Sequence, residues 1–99
     1  MNKDDKWVIK AGSSLVSGNY EGLNIDFISQ LASQIDFLRK NRQEVIIISS
    51  GAVAKGMNDL GLEKRPDQLA MLQACAAVGQ RGISEIYQKT FEKLGYTTG

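Results

Sequence analysis

The 99-residue chain has no histidine, one cysteine and one proline. Without histidine there is no imidazole base and no His-containing zinc cluster, and a lone Cys75 cannot close an internal disulfide. Chemistry must come from Lys, Ser, Asp or backbone groups, and no resident metal ion is expected. Neither sign of charge is in excess: 12 Lys and Arg stand against 11 Asp and Glu, a formal charge of +1. That balance lacks the concentrated basic surface from which counterion release draws its affinity, so nucleic acid is not an expected partner. Long apolar runs are missing as well. Met1-Asn2-Lys3-Asp4-Asp5-Lys6 leads into only Trp7-Val8-Ile9, far short of a signal h-region or a membrane span. The expectation is a cytoplasmic chain with no membrane partner.

What is present suffices for one globular unit. With 42% hydrophobic and 23% charged side chains the chain builds a modest core but is too short for two ordinary domains. No repeat, low-complexity tract or linker divides it. Trp7-Val8-Ile9 between charges predicts a strand over Lys6 to Lys10, and 11 to 14, Ala-Gly-Ser-Ser, is turn-forming. A loop with Gly18, Asn19 and Gly22 follows. Ile25, Ile28, Leu31, Ile35 and Leu38 then recur at helical spacing, with Asn24 as N-cap, Asp26 in the first turn and Arg39, Lys40 and Arg42 at the far end. Val45-Ile46-Ile47-Ile48 is continuous and β-branched, which predicts a central parallel strand covered on both faces. Ser49-Ser50-Gly51 breaks it, and Ala52 to Leu60 reads as a short helix ended by Gly61. Pro66 is placed near the N1 position of a last, long helix whose expected stripe is Leu69, Leu72, Ala76, Gly79, Ile83, Ile86 and Thr90. Gly95 ends it, and Tyr96-Thr97-Thr98 resembles the start of another strand. This order gives an α/β class: a parallel sheet flanked by helices, apparently incomplete at Gly99, as in an amino-terminal portion of a longer protein.

Ligands in such folds bind beyond the carboxyl ends of the strands. That edge receives Lys10-Ala11-Gly12-Ser13-Ser14 and Ser49-Ser50-Gly51-Ala52 together. The first offers an ammonium group, hydroxyls and a glycine; the second offers hydroxyls and N–H groups at a helix start, where the dipole favours anions. Taken singly, each has a plainer reading, as a solvated end-of-strand charge, a turn or a serine cap. Jointly they suit phosphate and carboxylate. Neither is a Walker A loop, and there is no Gly-x-Gly-x-x-Gly fingerprint. Gly79 and Gly82 each cost a helix about 1 kcal/mol relative to alanine, which predicts close packing there. Cys75, Trp7 and Tyr87 are read as packing residues.

Four segments carry a resemblance: Trp7-Val-Ile-Lys-Ala-Gly-Ser-Ser-Leu, Ile48-Ser-Ser-Gly-Ala-Val-Ala-Lys-Gly-Met, Leu60-Gly-Leu with Arg65-Pro66, and Leu72-Gln-Ala-Cys-Ala-Ala-Val-Gly-Gln. Together they resemble the glutamate 5-kinase family of the amino acid kinase superfamily over nearly the whole chain. The resemblance implies ATP-dependent phosphorylation of the L-glutamate side-chain carboxylate to L-glutamyl 5-phosphate, the opening step of proline biosynthesis, with Mg2+ carried on the nucleotide. It implies Lys10 as the catalytic cation and, with Gly12 and Ser13, as the ATP-phosphate site. Ser50, Gly51 and Ala52 become the glutamate-binding segment. Ala11 stands where a larger aliphatic is usual, and Leu72 where lysine is frequent. Residues 1–99 are then the amino-terminal part of an amino acid kinase domain, with proline as feedback inhibitor and a homo-oligomeric full-length protein. Two alternatives stay open: a non-catalytic fragment that binds an anion or pairs with another chain, and another superfamily member such as an acetylglutamate, carbamate or nucleoside-monophosphate kinase.

Overall fold

A computed structural model describes residues 4–16 and 23–99. Strand β1 (Lys6–Ala11) leads into a short helix α1 (Ser13–Val16); then come α2 (Ile25–Lys40), β2 (Glu44–Ser49), α3 (Ala52–Asp59) and α4 (Leu69–Glu92). The expected loop with Gly18, Asn19 and Gly22 lies outside the described residues, as do Met1 to Lys3. The strands pair in parallel, with Lys6 beside Glu44 and Ala11 beside Ser49. A parallel pair needs a crossover, and α2 supplies it. The α/β class is as expected.

Helix α2 forms for the reasons its sequence states. The Asn24 side chain accepts from the Phe27 N–H at 3.0 Å, and Asp26 sits in the positive first turn with Arg39 and Lys40 in the last. Ile28, Leu31, Ala32 and Ile35 are buried. They meet Ala11, Val16, Ile83, Tyr87 and Phe91 in one core cluster. Each fully buried aliphatic there is worth about 1.5–3 kcal/mol, more than the roughly 1 kcal/mol of the Asn24 cap, so packing rather than capping fixes where α2 lies. The turn into β2 places Arg42 at φ 62° and buries Gln43, whose Oε1 accepts from Trp7 Nε1 at 3.0 Å. Trp7 is thus a half-exposed indole anchored by its N–H.

Four expectations are corrected. Ser13 opens α1 instead of continuing a turn, because Val16 has an apolar site to fill and its N–H reaches the Gly12 carbonyl at 3.1 Å. Among the described residues strand β2 is covered on one face only. Val45 and Ile47 pack on the core, whereas Ile46 is 61% and Ile48 50% exposed, beside Val8 at 64%. Helix α4 starts at Leu69, not at Pro66, because Gln68 is extended at ψ 133°. Its buried row is Cys75, Gly79, Ile83, Tyr87 and Phe91, an unbroken i, i+4 ridge, and Leu69 is exposed. Finally, Tyr96-Thr97-Thr98 is not a strand.

Tyr96 is instead a clasp. Its ring meets Phe91 edge-on at 6.4 Å, and its hydroxyl donates to Asp36 Oδ1 at 2.6 Å, while Lys40 Nζ holds Oδ2 at 2.9 Å. The Tyr96 hydrogen bond, followed by the Lys40 contact, lowers the Asp36 pKa below its ordinary 3.8. The same hydrogen bond raises the Tyr96 hydroxyl above 10.0. A carboxyl depressed on folding stabilises above its unfolded pKa and loses that contribution as pH falls through the folded value; a hydroxyl raised on folding loses its contribution as pH rises through the folded value. Thermal unfolding of Tyr96→Phe against the unsubstituted chain checks this. The substituted chain melts lower between about pH 5 and 9, with the gap narrowing below pH 3.8 and again above pH 10.0.

Candidate functional site

Beyond the carboxyl ends of β1 and β2 the ladder continues for one more bond: the Ser50 N–H donates to the Ala11 carbonyl at 2.9 Å. The two segments expected to cooperate are therefore neighbours, 10 to 13 on one side and 49 to 52 on the other. Lys10 pairs in register with Ile48 and belongs to the exposed face of the sheet. It makes no ion pair with any described residue. Gly12 and Ser13 form the entry to α1, with Ser13 exposed. Ser50, Gly51 and Ala52 are half-buried at the entry to α3.

The reading of the second segment as a serine cap fails. The N-cap of α3 is Gly51, at φ 107°, and no side chain caps the helix. The serines are thus free of that task, and the N–H groups of the first turn of α3 have no partner within the helix. This glycine turns the chain through a left-handed conformation that an L side chain adopts only at a cost of about 1–3 kcal/mol.

Helix α3 is fixed by direct backbone approach to α4. A Cβ at Gly56 would run into the Cys75 carbonyl, and one at Gly79 would run into the Ala52 carbonyl oxygen. The expectation for Gly79 is met: its missing side chain is the space that the first residue of α3 occupies. Gly82 has a different partner. The stem of Lys55 passes over it, and the Lys55 ammonium is paired with Asp59. Cys75 is fully buried at this contact, a small core residue as expected.

One residue absent from the expected site, Tyr87, joins it through Ser49 of the expected segment. The Tyr87 hydroxyl donates to Ser49 Oγ at 3.1 Å, and Ser49 Oγ in turn donates to the Ser50 carbonyl at 3.3 Å. Strand parity gives the signal for Ser49, since it shares the inner face of β2 with Val45 and Ile47. For Tyr87 the signal is the ridge Ile83, Tyr87, Phe91. A groove of about 850 Å³ lies between the inner face of β2, α4 and Tyr96 to Gly99. It reaches Ser49 but neither Lys10 nor Ser50, so the strand ends, not this groove, hold the expected site.

The Amino acid kinase family model matches residues 5–99. The chain belongs to this family. Among curated relatives, this amino acid kinase chain is 46% identical over 96 residues to the glutamate 5-kinase of Hydrogenovibrio crunogenus, covering 97% of the chain and 26% of the relative. It is 46% identical over 91 residues to the glutamate 5-kinase of Cupriavidus metallidurans, covering 92% of the chain and 24% of the relative. It is also 47% identical over 91 residues to that of Burkholderia mallei strain SAVP1, again 92% of the chain and 24% of the relative. The chain thus spans about a quarter of the length of the curated relatives it matches.

The contact at Gly79 generates a prediction. Gly79→Ala must push Ala52 and the start of α3 away, so the chain loses about 1–3 kcal/mol, the usual range for overpacking. Urea unfolding measures the loss, and amide signals of Ala52 and Val53 move while those of α2 stay.

Proposed function

We infer that the chain is the amino-terminal part of a kinase domain that transfers a phosphoryl group from ATP to the side-chain carboxylate of L-glutamate, giving L-glutamyl 5-phosphate on the way to proline. The observation that carries this reading is the Ser50 N–H to Ala11 carbonyl bond, which sets the lysine segment and the serine-glycine segment side by side at one sheet edge. The names of the relatives support the choice of substrate.

The chemistry asks little of acid–base groups. A glutamate carboxylate is ionised at neutral pH and is already a nucleophile, so a chain without histidine is no poorer for it. In this reading one carboxylate oxygen attacks the γ-phosphorus, the bond from that phosphorus to the bridging oxygen breaks, and ADP leaves with the electron pair. Catalysis is then positioning and relief of charge on the phosphoryl oxygens. Lys10 supplies a point charge beside the Gly12-Ser13 entry to α1, where the phosphates of ATP rest. The Ser50 hydroxyl and the N–H groups of Gly51 and Ala52 hold the glutamate carboxylate. Among the described residues no group of three or more His, Cys, Asp or Glu side chains converges to hold a metal ion. In this reading Mg2+ arrives on the nucleotide.

Among the described residues no helix is long and apolar enough to cross a membrane. A cytoplasmic location, proline as feedback ligand and homo-oligomerisation of the complete enzyme belong to the same proposal.

A chimera tests it. Replacing the matching 96 residues of the Hydrogenovibrio crunogenus relative with this chain should preserve glutamate-dependent ADP release. In the chimera, Lys10→Met is expected to lower kcat by about a hundredfold or more, as losing one aimed charge contact does, with glutamate binding little changed. A near-normal kcat removes Lys10 from the transfer step. Ser50→Ala is expected to raise the glutamate KM about tenfold or more, the effect of a lost hydrogen bond to a charged ligand. An unchanged KM with a lowered melting temperature assigns Ser50 to structure alone. A folded chimera that turns over without regard to glutamate overturns the proposed substrate.

A further inference from the structure

Ser49 and Tyr87 are linked to the Ser50-Gly51 turn in a fixed direction. A hydroxyl carries one proton. With the Tyr87 proton directed into Ser49 Oγ at 3.1 Å, the Ser49 proton goes to the Ser50 carbonyl at 3.3 Å. We propose that Tyr87 is a positioning residue which, through Ser49, sets the orientation of the peptide between Ser50 and Gly51 and so aims the Gly51 N–H at an anionic ligand. The proposal rests on the reading of Ser50, Gly51 and Ala52 as the segment that meets the glutamate carboxylate.

The geometry follows from the planarity of a trans peptide, in which C=O and N–H point in opposite directions. There are no cis peptide bonds among the described residues. A Ser50 carbonyl held back by Ser49 therefore sends the Gly51 N–H away from Ser49. Gly51 needs such a hold because its own conformation, φ 107° and ψ 4°, lies where glycine has unusual freedom and because no side chain caps the helix it opens. Tyr87 is suited to provide it. The ring is 8% exposed, seated in the core cluster with Ile83 and Phe91 on the 24-residue α4. The same helix carries Gly79, against which the Ala52 carbonyl rests. One rigid element thereby holds both sides of Gly51: Ala52 by backbone contact, and Ser50 through Ser49. A phenylalanine at 87 would fill the core equally well, so the hydroxyl is the part of Tyr87 that packing does not explain.

The test uses the 99-residue chain labelled with nitrogen-15, its Tyr87→Phe, Ser49→Ala and Ser49→Thr variants and the Tyr87→Phe/Ser49→Ala double variant for the amide resonances, and the same substitutions in the chimera for titration with L-glutamate. Tyr87→Phe is expected to shift the Gly51 amide resonance, leave those of Ile28 and Ile35 in place, and weaken L-glutamate about three- to tenfold, the loss of one hydrogen bond. Ser49→Ala should reproduce this, the double variant should add nothing further, and Ser49→Thr, which keeps the hydroxyl, should behave as the unsubstituted chain. An unmoved Gly51 resonance in both Tyr87→Phe and Ser49→Ala, with only the melting temperature lowered, overturns the proposal and leaves Tyr87 a packing residue. Additive effects in the double variant overturn it too, since they show two independent contacts. If the unsubstituted chimera binds no L-glutamate, the glutamate reading fails on that result, and the role of Tyr87 is decided by the Gly51 resonance.

Discussion

Two strands that run in the same direction cannot be joined by a tight turn, and that constraint organises the molecule. It demands the crossover through α2, which must then bury one stripe against the sheet; Ile28, Leu31, Ala32 and Ile35 form that stripe. It also sends both strands out of the sheet at the same edge, so Ala11 and Ser50 meet. An antiparallel pair would have delivered the lysine and the serines to opposite ends. The convergence of the two segments follows from strand direction more than from any attraction between them.

The second organising contact is the one between α3 and α4, and it works by absence of atoms. Gly56 and Gly79 let one backbone rest against the other, where any side chain would force the helices apart. Glycine in a helix interior costs about 1 kcal/mol, so two such positions are tolerable only where close approach returns at least as much in packing. The return here includes the burial of Cys75 and the placement of Ala52. Stability and the geometry of the candidate site are coupled through the same few atoms.

Much of this was readable from residue order. The spacing in α2 and its Asn24 cap announced the helix and its start, since periodicity and cap are both local signals. The two strands, α3 and the proximity of Lys10 to the Ser50 segment followed from pattern plus the rule for parallel sheets. What escaped was set by partners distant in sequence. Helix α1 is only Ser13–Val16, too short for any period to register. The buried ridge on α4 runs through Gly79, Tyr87 and Phe91, which meet α3 at Gly79 and the α2 core at Tyr87 and Phe91, whereas the apolar count alone favoured Leu69 and Leu72. An unbroken run of Val and Ile in β2 reads as burial on both faces, yet nothing among the described residues covers Ile46 and Ile48. Tyr96 has strand-like neighbours, but its ring meets Phe91 and its hydroxyl bonds Asp36, a residue sixty positions away that no local pattern points to.

Among the described residues the sheet has two strands and no interior strand, and this shapes its response to solvent. Successive backbone N–H groups of a strand point to opposite sides, so in β2 only every second one faces β1, and the others point along the edge that no described strand pairs. Deuterium exchange along Glu44–Ser49 would therefore alternate between slow and fast with a period of two. In α2, where amides beyond the first turn all bond along the helix axis, protection would rise and fall only with distance from the ends.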